Sequence, residues 1–92
     1  MSMTERQQGM HAALTVLAAK CERYVDRYNM ATVAHGMSSV YARLNKAAIT
    51  ALRDAAEAVR VEAMLPPDAV PAVLRADYQP PSEKMDAAKV TR

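Results

Sequence analysis

Between residues 10 and 28 the larger apolar side chains recur in steps of four and three: Met10, Leu14, Leu17, Cys21, Tyr24 and Tyr28, with Met3 continuing the series backwards. That spacing is the heptad seam of one helix. A second series follows at Val33, Met37, Tyr41, Leu44, Ala48, Leu52, Ala55 and Val59. On a straight helix turning about 100° per residue, Met37 and Leu44 point nearly opposite to the first series. One rod cannot bury both series against the same partner, so the chain is expected to turn between Asn29 and Ser39.

The segment "AHGMSS" carries the chemistry of such a turn. Gly36 suits a left-handed C′ position, and Ser38 or Ser39 suits the N-cap of the next helix. The rival site is "NMAT", with Asn29 closing one helix and Thr32 opening the other. At the start of the chain, Ser2 with Glu5, or Thr4 with Gln7, has capping-box spacing. Folding back at the turn opposes Tyr28 to Tyr41, Tyr24 to Leu44, Cys21 to Ala48, Leu17 to Leu52, Leu14 to Ala55 and Met10 to Val59. Large residues would then meet mostly small ones, which lets the backbones approach closely. Val16, Val25, Val40 and Ile49 fall beside this seam and widen the apolar face.

All five prolines come after residue 65. The second helix therefore ends at "MLPPD", because proline lacks the donor and biases its predecessor away from helix. Asp68 is placed to cap a short helix whose apolar face is Val70, Val73 and Leu74, with Tyr78 just beyond. Two turns do not hold themselves up in water, so this segment must dock. It has three places to go: onto its own hairpin, across a dimer, or into the groove of a partner. The first two are preferred, because a free apolar segment invites aggregation. The predicted organisation is a hairpin over residues 1–65, a docking helix over 66–79 and a mobile polar tail over 80–92.

Composition sharpens this all-α reading. The chain of 92 residues has no Phe or Trp, and only two Gly. Its large core side chains are chiefly Leu, Val, Met, Ile49 and four Tyr. A pair of helices with so little to bury usually needs a staple, a metal or a second copy. Neither a staple nor a metal is suggested, so two hairpins are expected to form a dimeric four-helix bundle. The single cysteine, Cys21, fits a reducing cytoplasm. The opening "MSMTERQQGMHAAL" has no apolar run of leader type, and no segment reaches the length that crosses a bilayer.

Candidate chemistry is sparse. "ERYVDRYN" repeats acid, arginine, tyrosine at i,i+4 spacing, stacking Tyr24 with Tyr28, Arg23 with Arg27, and Glu22 with Asp26 on successive faces. The plain reading is a helix with one buried and one wet face. The functional reading takes Arg23, Arg27, Tyr28 and Tyr41 as a recognition cluster near the hairpin tip, since Tyr and Arg dominate interface hot spots. Neighbouring arginines also favour something negative between them, which leaves an anionic ligand as a weaker reading. Val73, Leu74 and Tyr78 are the second partner-binding candidate. Cys21, without a basic neighbour on its own face, reads as an inert thiol. His11 and His35 lie too far apart along the hairpin to share a metal.

No catalytic constellation and no cofactor motif is present in these readings, so a non-enzymatic role is expected. The favoured function is a protein-interaction module: a small regulator, adaptor or inhibitor that occupies a surface of another protein. The rival is a nucleic-acid-associated regulator, with Arg43, Lys46, Arg53 and Arg60 merged across a dimer into a basic groove. A net charge of only +2, and carboxylates beside those cations, count against it.

Overall fold

The computed structural model describes residues 4–75 and 77–81, and all regular structure in them is helical. Helix α1 spans Glu5–His35 and α2 spans Val40–Glu62. The two pack antiparallel, joined by the short turn at residues 36–39. Thirty-one residues at about 1.5 Å each account for the long dimension of a body measuring 47 × 25 × 15 Å.

Thr4 starts α1: its hydroxyl accepts from the Gln7 backbone N–H, and the Gln7 side chain accepts from the Thr4 N–H, completing a capping box. The alternative start at Ser2 lies outside the described residues. Helix α1 then runs unbroken through Asn29 and Thr32, so the rival turn is not used. Gly36 ends it, donating to the Thr32 carbonyl at 2.9 Å. Its φ of 92° is the positive value expected, but ψ is 158°. That is an extended exit open essentially to glycine alone, rather than the left-handed helical C′ conformation. Ser39, not Ser38, caps α2 by accepting from the Ala42 N–H.

Helix α2 closes in a Schellman motif. The Met64 N–H donates to the Val61 carbonyl and the Leu65 N–H to the Arg60 carbonyl, with Met64 at φ 57°. Beyond it the chain lays a strap back over the hairpin. The expected short α-helix is instead two single-turn 3-10 helices, Pro67–Ala69 and Ala72–Leu74. Pro71 stands between them and cannot supply the donor that would fuse them. Val70, Val73 and Leu74 are nonetheless buried, so the segment docks in cis. Docked chain continues through half-buried Tyr78 to buried Pro80, past the boundary expected at residue 79. The tail expected over 80–92 otherwise lies mostly outside the described residues.

The core is shifted from the expected seam. On α1 the buried residues are Leu14, Ala18, Cys21, Val25, Tyr28, Ala31 and Thr32, while Leu17 and Tyr24 are only half-buried. The two series share Leu14, Cys21 and Tyr28 and differ in which neighbouring row is covered. On α2 the buried residues are Ala42, Ile49 and Ala56, seven apart. Val25 and Ile49 are therefore core residues rather than flanking ones. Tyr41 and Leu44 are 63% and 66% exposed, so their expected pairings with Tyr28 and Tyr24 do not form a seam.

Candidate interaction surface

The side chains of Lys20, Arg23 and Arg27 recur at i, i+3 and i+7 on the outward side of α1, away from buried Cys21 and Tyr28. With Tyr24 they line a small notch of about 160 Å³. The Arg27 guanidinium lies 5.6 Å from the Tyr24 ring centroid, a cation–π distance. Among the described residues no carboxylate forms an ion pair with any of the three cations; the ion pairs there are Arg6 with Glu62 and Arg60 with Glu57. Glu22 and Asp26 occupy the next face of the helix, Asp26 three residues from Arg23 but not paired with it among the described residues. Exposed Val16 and Met30 continue the same row at either end. The result is a basic strip with apolar margins.

The rest of the expected tip cluster separates. Tyr28 is 1% exposed and belongs to the core, with the Lys46 ammonium 6.0 Å from its ring centroid. Tyr41 faces solvent and packs its ring 5.1 Å from that of His35. Val33 and Met30, also exposed, leave the turn end of the hairpin apolar. Of the four residues grouped by the repeat, Arg23, Arg27 and Tyr41 remain accessible. Tyr28 is not.

The second candidate set is an internal contact. Val73 and Leu74 are buried against the hairpin, and Tyr78 is half-buried beneath Arg53, whose guanidinium lies 5.6 Å from its ring. Arg53 also donates to the carbonyls of Val73 and Tyr78, at 3.2 Å each. Arg60 donates to the Leu65 carbonyl at 3.0 Å and pairs with Glu57. Arg75 donates to the carbonyls of Val70 and Asp68. Two of the four cations of the proposed nucleic-acid groove, Arg53 and Arg60, are thus engaged inside the chain; Arg43 is exposed and Lys46 lies over Tyr28.

This arginine latch was the part sequence reasoning missed. Its signal was present. A segment rich in proline cannot satisfy its own carbonyls in a helix ladder, and buried carbonyls require donors. Arg53 and Arg60, seven apart on α2, were the donors within reach.

Between α2 and the strap runs an open groove of about 820 Å³ whose rim mixes Arg53, Arg60 and Arg75 with Asp54, Glu57, Asp68 and Asp77. The Arg60 hydrogen bond holds the exposed Glu57 carboxyl below its ordinary range. Cys21 is fully buried, its Sγ 3.6 Å from the Val73 carbonyl, and burial raises its pKa, opposed in part by Arg53. Such a thiol is a poor nucleophile at neutral pH. No group of three or more His, Cys, Asp or Glu side chains with metal-holding geometry occurs among the described residues. Nor is any helix among them long and apolar enough to cross a membrane. No protein-family model, curated protein or solved structure matches the chain.

Proposed function

We propose that this chain is a non-enzymatic, cytoplasmic interaction module that regulates, adapts or inhibits a partner protein by occupying its surface, and that it works as a homodimer. The observation carrying the reading is the strip of Lys20, Arg23 and Arg27 on α1: three outward cations without an ionic partner among the described residues, margined by exposed Val16 and Met30. Held on a capped 31-residue helix, these side chains are pre-arranged at the spacing of an adjoining helix. Their complement is a segment with acidic residues along an apolar row. Arg23 and Arg27 supply the fork geometry that carboxylates fit best.

Homodimerisation follows from thinness. A body 15 Å thick leaves few side chains remote from water, and the large residues fully buried are Tyr28, Leu14 and Cys21. A core this small gains most from a second copy. A nucleic-acid role is the second reading, weakened because Arg53 and Arg60 already hold strap carbonyls.

The test compares proteins captured from native lysate by wild type and by the double variant Arg23→Ala/Arg27→Ala. The variant should keep its helical circular dichroism, since both side chains are exposed, and should lose the captured partner. Capture unaffected by the double substitution would reduce the strip to architecture. Binding of random duplex at low salt, lost steeply as salt rises, would favour the nucleic-acid reading instead.

A further inference from the structure

Helix α2 has more apolar surface than the described residues of the chain cover. Its buried residues Ala42, Ile49 and Ala56 point one way, toward α1 and the strap. At about 100° per residue, Val40, Leu44, Ala47, Ala51, Ala55 and Ala58 fall within an arc of about 80° on the opposite side. All six are exposed, Val40 at 64% and Leu44 at 66%. Every charged residue of α2 except Glu62 lies on the remaining flank: Arg43, Lys46, Arg53, Asp54, Glu57 and Arg60. Glu62, in the last turn, is tied to Arg6 at 2.9 Å. A solvent-facing helix side of five turns without an unpaired charge is the pattern of a helix with two packing partners. Among the described residues only the other side is covered.

We propose that this face is where a second copy of the chain docks, α2 against α2 and antiparallel, about a two-fold axis level with Ile49. The proposal deepens the homodimer reading above and rests on it. The occupant is identified by self-complementarity. With the axis at that level, Val40 of one copy opposes Ala58 of the other, Leu44 opposes Ala55, and Ala47 opposes Ala51. The bulky end of the row thus meets the small end, and the alanine centre permits close backbone approach.

Charge selects the same arrangement. Arg43 and Asp54 share the flank beside the row, one near each end, and neither has an ionic partner among the described residues. In an antiparallel pair like flanks adjoin in reversed order. Arg43 then lies within about 2 Å, measured along the axis, of the level of the partner's Asp54. The symmetry makes the contact twice. A parallel two-fold pair would place this flank against the opposite flank of the other copy, so Arg43 and Asp54 would not meet across the seam. A foreign helix has no reason to match both the size order and the charge order of this one; its own copy matches both.

The test uses the full chain in sedimentation equilibrium over a range of concentrations. Wild type should pass from one to two chain masses as concentration rises. Ala51→Glu, at an exposed helical position, should keep the helical spectrum and remain a single chain at concentrations where wild type is paired. Arg43→Asp and Asp54→Arg should each weaken self-association about tenfold, because one substitution spoils two symmetric contacts, and the two together should restore it. A wild type that stays a single chain throughout would overturn both this proposal and the homodimer. A dimer untouched by Ala51→Glu would leave the homodimer standing and remove this face from it. Dissociation by Ala51→Glu without rescue in the double charge reversal would remove the antiparallel register.

Discussion

Replacing Arg53 with Met deletes a side chain that ties α2 to the strap at two points. Two guanidinium hydrogen bonds are lost, to the carbonyls of Val73 and Tyr78, together with the cation–π contact to the Tyr78 ring. A hydrogen bond involving a charged group contributes about 1.5–3 kcal/mol, and a partly exposed cation–π contact about 0.5–1. The contributions overlap, because one ordered side chain makes all three and Arg53 is only half-buried. A loss of about 2–4 kcal/mol in strap docking is therefore expected. Val73 would keep only the weak Cys21 thiol contact at 3.6 Å. For a domain whose whole stability is about 5–14 kcal/mol, that is a large share.

Hydrogen exchange reads the effect locally. The amides of Leu74, Arg75 and Tyr78 close the strap's own turns, donating to Pro71, Ala72 and Arg75. In Arg53→Met they should exchange about 30- to 1,000-fold faster, the same energy converted at 1.4 kcal/mol per decade. Amides in the middle of α1 should change less. Arg53→Lys should fall between, since an ammonium keeps the charge but not the planar fork that spans two carbonyls. Exchange at those three amides identical to wild type would refute the latch.

Leu14→Ala should cost about 3–5 kcal/mol in denaturant unfolding and exceed Leu17→Ala and Leu52→Ala, each nearer 1–2, because Leu14 is fully buried and the other two are half-buried. Met64→Gly should stabilise by about 1 kcal/mol in the same assay: Met64 holds the left-handed C′ position with its side chain 84% exposed, so glycine removes strain and sacrifices little contact. Thr32→Val should be neutral or stabilise by up to about 1 kcal/mol, since the buried Thr32 hydroxyl has no hydrogen-bond partner among the described residues. The Cys21 pKa is raised above its ordinary 9.0 by burial, so above that pH the unfolded chain sheds a proton that the folded chain keeps. Stability should therefore fall as pH rises past 9.0 through the folded value, and Cys21→Ala should remove that part of the slope, as measured by urea midpoints from pH 8 to 10.

Much of the architecture is local and so was written in the sequence. The proline-free run, the capping box at Thr4 and Gln7, the glycine at 36 and the serine at 39 fix where two helices begin and end, because these depend on neighbours three or four residues away. The glycine–serine turn placed the hairpin correctly, although the reversed series that predicts it, Val33, Met37, Tyr41 and Leu44, is exposed. The short apolar segment after the prolines required a docking place. Arg23 and Arg27 were legible as an exposed pair for the same reason, being neighbours on one helix.

Tertiary structure decided what depends on distant segments. Which rows are covered was decided by the assembled hairpin and strap: Val25 shares one core with Val73 and Leu74, while Tyr41 and Leu44 stay in solvent. Tyr28 passed from candidate contact to core on the same account. Arg53 and Arg60 looked free in the sequence because their partners are main-chain carbonyls, which every residue carries and no sequence pattern marks. Heptad spacing names the rows that are able to pack; only the assembled fold says which row has something against it.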